Sequence, residues 1–275
     1  MVVALLLSVA GADAAELKLA TWNLEWLTTS DRDLPADARP KLPEDIERLR
    51  GYAAELDADV IAVQEVDGAA VAARVFPSDK YSIHLSHDRV VQRVGFAVRR
   101  GIHYDVHPDV TGLDLGPGAQ LRSGVDITLH LQPPLRLLAV HLKTGCIDER
   151  LGNRTRRACA ELRQQVPPLL DWVSARLADG VGFVVLGDFN RHMDRRDELL
   201  SALKRTAPLV RTTEGVSSPC WGGEEFIDHI LLGGPARDWL VPGSLRVLTY
   251  RETGAEWKGR LSDHCPVSVR LRLPD

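Results

Sequence analysis

Asn23, Glu65, His141, Asp188, Asn190, Asp228, Asp263 and His264 stand at or near the ends of six apolar runs. The runs read LATWNLEW (19–26), VIAVQEV (60–66), LLAVHLK (137–143), VVLGDFN (184–190), FIDHILL (226–232) and LSDHCPVSV (261–269). Carboxylates gathered at one rim of a sheet repel one another and are costly to desolvate unless positive charge lies between them. A hard divalent cation, Mg²⁺ or Mn²⁺, held by oxygen ligands supplies that charge. The histidines add groups able to move protons near neutral pH. Metal-dependent hydrolysis is therefore the chemistry these residue types point to.

Each run is β-branched or aliphatic enough to form a strand buried on both sides. Two stretches read as long helices. Residues 43–56 begin with Pro43, carry acids in the first turn, and repeat apolar residues at Ile46, Leu49, Ala53 and Leu56. Residues 155–178 place Leu162, Val166, Leu169, Val173 and Leu177 on one face and end before Gly180. Pro167 and Pro168 are expected to kink or split that helix. Alternating segments at 81–85, 95–99, 125–131 and 244–249 suit strands, and 27–41, 111–119 and 233–237 suit loops. Helices mixed with buried strands and hairpins imply an α/β (α+β) layered architecture with helices outside the sheets.

The 275 residues, 44% hydrophobic and 26% charged, suffice for a sizeable core, with no linker-like stretch in the middle. A formal charge of -4 without a basic tail argues against bulk electrostatic adhesion to nucleic acid. It does not exclude an enzyme meeting phosphates through a metal and a few local arginines. Residues 2–10 form an apolar run followed by Ala12-Asp13-Ala14, the pattern of a signal peptide over 1–14. No Lys or Arg precedes the run, which leaves room for a start upstream. One catalytic domain over 15–275 and a secreted or periplasmic location follow, with no other stretch able to span a membrane and a monomer expected. Four cysteines suit an exported chain and allow three pairings. Pairing Cys146 with Cys159 and Cys220 with Cys265 would close a short loop after HLK and brace the SDH segment. Zinc ligation is the rival, though no CxxC is present. Four reduced, buried cysteines remain the alternative if the chain is not exported.

The blocks TWNLE, QEV, HLK, GDFN, IDHI and SDH, in this order from residue 21 to 266, resemble the endonuclease/exonuclease/phosphatase superfamily. That resemblance implies the DNase I-like four-layered sandwich, two sheets face to face with helices outside and the active site at one rim. It implies Asn23, Glu65 and Asp263 at the metal, and Asp188 orienting the attacking water. It also implies Asn190 on a phosphate oxygen, Asp228 positioning His264, and His141 as a second catalytic histidine. Arg122 matches a position where the family often has a phosphate-contacting arginine. Taken singly, each residue has a plainer reading: Glu65 in a strand-end salt bridge, Gly187-Asp188 in a turn, each histidine in the core, Arg122 on the surface. Asp188 and Asn190 should share a face by strand alternation, whereas His229 points away from Asp228 and is set aside.

The deoxyribonuclease branch pairs its first histidine with a glutamate where this chain has Gln92, which could still hydrogen-bond His141. Lys143, Arg154 and Arg157 could line a phosphate path or be solvated surface. Trp221 and Trp257 could stack on a base or serve packing. The reading that follows is a secreted metal-dependent phosphodiesterase, foremost a nuclease acting on DNA or RNA. The same site would also serve inositol phosphate monoesters or sphingomyelin-type phospholipids, and the non-enzyme alternative is an inactive binding module. Four tyrosines and five phenylalanines leave little for a lipid-inserting hairpin.

Overall fold

A computed structural model describes residues 16–36, 38–116, 118–153 and 155–274. The expected signal peptide and Arg154 lie outside the described residues. The chain runs through β1 (Glu16–Leu27), α1 (Pro43–Leu56), β2 (Val60–Val66), α2 (Ala69–Val75), β3 (Tyr81–Leu85) and β4 (Arg93–Arg99). It continues with β5 (Tyr104–Val106), β6 (Val125–Leu129), β7 (Leu135–His141), α3 (Arg157–Asp179), β8 (Gly182–Asp188) and α4 (Glu198–Thr206). It ends with β9 (Leu209–Arg211), β10 (Asp228–Gly233), β11 (Arg246–Val247), α5 (Glu256–Arg260) and β12 (Val267–Arg272). The strands form two mixed six-stranded sheets, ordered β11-β12-β1-β2-β4-β3 and β5-β6-β7-β8-β10-β9. Helices cover the outer faces, giving the four-layered α/β sandwich expected.

Strand alternation sorts the apolar residues into three buried layers. Leu17 and Leu19 of β1, Val60 and Ala62 of β2, Leu137 and Ala139 of β7, and Val184 and Leu186 of β8 fill the space between the sheets. The alternate residues Ala20, Trp22, Ile61 and Val63 face α1, which presents Ile46, Leu49, Tyr52 and Leu56. On the other sheet Leu138, Val140, Phe183 and Val185 meet Leu162, Leu169, Trp172 and Val173 of α3. Each fully buried aliphatic or aromatic side chain contributes roughly 1.5–3 kcal/mol. Leu19→Ala, with no exposure in the native fold, would cost about 2–5 kcal/mol.

The period of two has a consequence at the rim. Following the inter-sheet positions along each strand leads from Leu17 and Leu19 to Asn23, from Leu137 and Ala139 to His141, and from Val184 and Leu186 to Asp188. Asp228 opens β10 on the same face as Ile230 and Leu232. β7 and β8 run parallel with His141 opposite Asp188, and antiparallel β10 sets Asp228 opposite Asp188. The polar ends thus meet at one edge of the sandwich.

α3 differs from expectation: it continues unbroken through Pro167 and Pro168. Two backbone donors are lost there, but Leu162, Leu169, Trp172 and Val173 on both sides pack onto one sheet and hold a single axis. Gly180 ends it with φ 69°. Two segments expected as loops carry 3₁₀ helix, one turn at Thr111–Leu113 and two turns at Gly234–Trp239, which runs past residue 237. Disulfides join Cys146 to Cys159 and Cys220 to Cys265. Among the described residues no helix is long and apolar enough to cross a membrane.

Candidate active site

The backbone at the rim is unusual where the chemistry gathers. β1 and β2 pair in register to Asn23 and Gln64, then slip before Leu27 meets Val66. In the slip Glu25, Trp26 and Glu65 adopt φ of 39°, 53° and 60°, and Asn190 beyond β8 adopts 52°. Non-glycine residues in the left-handed region are strained, and the surrounding hydrogen bonds must hold them there. Glu65 is turned so that its Oε2 accepts the Trp26 N–H at 3.0 Å and its Oε1 lies 3.2 Å from Asn23 Nδ2. Gly187, with φ 148°, precedes Asp188 inside β8 rather than in a turn. A Cβ there would meet the Val140 carbonyl oxygen at 1.9 Å, so only glycine lets β7 approach.

Asp188 is the hub. It is 1% exposed and accepts from Asn190 N (2.8 Å), Asn190 Nδ2 (3.0 Å) and Asn23 Nδ2 (3.1 Å). His141 Nε2 lies 3.3 Å from its Oδ2 and His264 Nε2 3.9 Å. Burial, then the Asp228 charge, push the Asp188 carboxyl up to about 7, against the opposing pull of His264, Asn190 and Asn23. Asp228 Oδ2 accepts from His264 Nδ1 at 2.7 Å. Burial disfavours the His264 charge, but Asp228, Asp188 and Asp263 outweigh it and hold the imidazolium well above its usual pKa. His141 is the reverse case: burial, then Arg122, His264 and Lys143, keep it well below the usual value and neutral. Two histidines in one site are thus driven to opposite protonation states, the arrangement that separates acid from base roles.

All nine expected site residues reach this rim, with differences in how they sit. The Asn23 amide is turned opposite to a metal-facing oxygen: Oδ1 accepts the Glu25 N–H at 2.9 Å, leaving one lone pair, while Nδ2 bridges Glu65 and Asp188. Asn190 meets Asp188 through its left-handed turn, not strand alternation. Its two amide hydrogens go to Asp188 and the Leu142 carbonyl (3.1 Å), so it fixes Asp188 rather than offering a free donor. Arg122 is buried, not superficial, and hydrogen-bonds His141 Nε2. Gln92 makes no hydrogen bond to His141, whose Nδ1 is buried without a partner. Asp263 sits at the mouth, its side chain 52% exposed and 3.7 Å from His264 Nε2.

Two further residues, Glu25 and Lys41, to which the sequence assigns no role, lie among the rim charges. Glu25 Oε2 accepts the Asp263 N–H at 3.0 Å, and burial, then Asp263 and Glu65, push its carboxyl up to about 7. An acid two residues past Asn23 in an apolar run was the available signal. Lys41 is 4% exposed, donates to the Gly259 carbonyl at 2.9 Å, and carries a pKa lowered by burial. It arrives from a loop, where spacing carries no information. His229 is fully buried between Thr213 (2.7 Å) and the Arg191 carbonyl (2.8 Å), structural as expected. Trp221 stacks on Tyr250 and donates to the Ser262 carbonyl, and Trp257 lies between Arg48 and Arg260, so both serve packing. Lys143 and Arg157 share Glu161.

This donor set fits a divalent cation. Burial first, and neighbouring carboxylates after it, push Glu25 and Asp188 up to about 7, so ionising both at this rim is costly until a cation faces them. Asp228 Oδ1 is buried without a partner, and carboxylate oxygens of Asp188 and Asp228 lie within 4.8 Å of each other.

A family model, the Endonuclease/Exonuclease/phosphatase family, matches residues 20–264. No curated protein matches the sequence. Among solved structures, truncated TDP2 of Caenorhabditis elegans superposes with a TM-score of 0.66 at 17% identity, covering 94% of this chain and 98% of that one. A 3'-5' exonuclease (NExo) of Neisseria meningitidis gives 0.59 at 17% identity, covering 94% and 100%. An AP endonuclease of Archaeoglobus fulgidus gives 0.62 at 14% identity, with the same coverage. At these identities the likeness is one of fold.

Proposed function

The chain belongs to the Endonuclease/Exonuclease/phosphatase family, and on that premise we propose that it is a secreted or periplasmic Mg²⁺- or Mn²⁺-dependent nuclease. Membership makes it a metal-dependent phosphoric ester hydrolase; the nucleic acid substrate, the ion and the location are our reading. The observation that carries it is the 2.7 Å Asp228–His264 pair set beside Asp188, with Asn23 and Glu65 across the rim. Two solved relatives support the substrate: NExo from Neisseria is known bound to a product DNA hairpin, and TDP2 of D. rerio with a single-strand DNA product. The disulfides fit an oxidising compartment.

Glu65 and Asp263, joined by Glu25, would hold the cation, with Asn23 keeping Glu65 in place through its Nδ2. When bound it supplies Lewis-acid polarisation of the phosphoryl oxygen and neutralises developing charge. Arg122 offers its guanidinium to a non-bridging phosphate oxygen beside neutral His141. Asp188, fixed by Asn23 and Asn190, takes a proton from the attacking water as the new phosphorus–oxygen bond forms. His264, kept protonated by Asp228, gives its Nε2 proton to the departing oxygen as the old bond breaks. Preorganised groups of this kind typically contribute several kcal/mol to lowering a barrier.

Incubating supercoiled plasmid with the purified protein, with Mg²⁺ and with excess chelator, tests the reading. Nicking that needs the metal and disappears in His264→Ala is expected. A folded protein that leaves DNA and RNA intact but hydrolyses inositol phosphates or phospholipids would overturn the nuclease assignment.

A further inference from the structure

His264 sits on no regular element. Asp188 ends β8 and Asp228 begins β10, whereas residues 261–266 form an irregular link between α5 and β12. That link is held from outside. Tyr250 Oη donates to the His264 carbonyl at 2.8 Å, Trp221 Nε1 to the Ser262 carbonyl at 3.0 Å, and Ser262 Oγ to the Asn23 carbonyl at 2.7 Å. One tie is covalent: Cys265, the residue after His264, is bonded to Cys220 across 45 positions. Cys220 lies in an equally irregular loop, closed by the Ser218–Glu224 bridge, where Trp221 has φ 48°. That loop leads directly into Asp228. The disulfide therefore joins the two segments that deliver the partners of the 2.7 Å Asp228–His264 hydrogen bond.

We infer that Cys220 and Cys265 are positioning residues for the reaction, their disulfide holding His264 on Asp228 so that catalysis depends on its oxidation. The inference rests on the reading of Asp228 and His264 as the catalytic pair. The bond also lines a small cleft, about 110 Å³, shared with Asp228, Asp263, His264, Phe226 and Lys258. Cys220 is 8% exposed, while Cys146 and Cys159, the latter in the first turn of α3, are both fully buried. Access governs thiol–disulfide exchange, so a small dithiol reaches the first bridge before the second. Reduction transfers two electrons and two protons from the dithiol, which closes to its own disulfide, and the Cys220–Cys265 sulfur–sulfur bond becomes two thiols. The link 261–266 then keeps only hydrogen bonds and packing, and a displacement of about 1 Å at a reacting group lowers turnover about 100-fold.

The whole protein is treated with a dithiol under conditions where mass mapping shows Cys146–Cys159 intact. Hydrolysis of bis(p-nitrophenyl) phosphate with Mg²⁺ and hydrogen exchange are followed together. We expect kcat to fall roughly 30- to 100-fold with KM within about threefold, and exchange to rise at least about tenfold in residues 218–227 and 261–266 alone. Reoxidation should restore both. The Cys220→Ser/Cys265→Ser pair should reproduce the reduced enzyme, and the Cys146→Ser/Cys159→Ser pair should keep kcat while melting lower. An active enzyme whose kcat ignores selective reduction overturns this inference alone. An untreated enzyme that cleaves no phosphodiester overturns the catalytic reading and this inference with it.

Discussion

Asn23 Nδ2 lies 3.1 Å from Asp188 Oδ2, and this hydrogen bond crosses from one sheet to the other at the reactive rim. The same amide nitrogen lies 3.2 Å from Glu65 Oε1, so one neutral group holds two carboxylates from facing sheets. Its orientation follows from the Glu25 N–H donated to Oδ1. The arrangement keeps acids close without adding charge, and leaves their repulsion for a cation to relieve.

Asn23→Asp removes that bridge and adds a third buried carboxylate. An uncompensated charge in such a place costs about 3–5 kcal/mol, which lowers the melting temperature by roughly 6–15 °C for a protein of this size. Melting in chelator should show that loss, and Mg²⁺ should recover more of it in the variant than in the wild type. An equal metal response in both would mean that Asn23 does not separate the Glu65 and Asp188 carboxylates.

Much of this was legible because one rule, the period of two, governs both core and site. The residues filling the inter-sheet core lead along β1, β7 and β8 to Asn23, His141 and Asp188, so six blocks in order carried the fold and most of the rim. Legibility stopped where the backbone leaves the strand. The amide orientation of Asn23 depends on the left-handed Glu25, and Asn190 reaches Asp188 through a turn of φ 52°. Lys41 is brought in by a loop whose path no spacing encodes. The unbroken α3 shows packing outweighing a local helix breaker, which a sequence pattern cannot weigh.

Glu25 and Asp188, both near 7, are each about half protonated at pH 7. Metal entry should displace those protons, about one in total, since Glu25 coordinates in its ionised form and the nearby positive charge favours the ionised form of Asp188. Calorimetry in buffers of different ionisation enthalpy measures the release, which should vanish near pH 9. Both carboxyls stand above their ordinary values of 4.5 and 3.8, so their contribution to stability is complete below pH 4 and lost as pH rises through about 7. In chelator this destabilisation appears between those limits; saturating Mg²⁺ should cancel it. Metal binding without proton release at pH 7 would contradict the placement.

Asp228→Asn should lower kcat by about 10²- to 10⁴-fold, the usual range for losing a positioned proton-transfer partner. The pH profile adds a sign. Asp228 is the main group that raises His264, so without its charge His264 gives up its proton at lower pH. The alkaline limb of kcat should move toward neutrality in the variant. A limb at unchanged pH would assign it to another group.

His229 predicts the acid behaviour of the fold. Burial holds it at about 3, against an ordinary 6.5, wedged against Phe189 and bonded to Thr213 and the Arg191 carbonyl. A lowered histidine contributes stability that is complete above its unfolded value and is lost as pH falls from 6.5 through about 3. The loss is limited to about 1.4 kcal/mol per pH unit. Glu25 and Asp188 change in the opposite sense over part of this range, so the wild-type curve alone does not isolate His229. The difference between wild type and His229→Gln does. Denaturant unfolding with Mg²⁺ present should give a constant difference above pH 6.5 and one that shrinks by roughly 2–3 kcal/mol at pH 4.5. A difference independent of pH would mean that His229 is protonated within the native core.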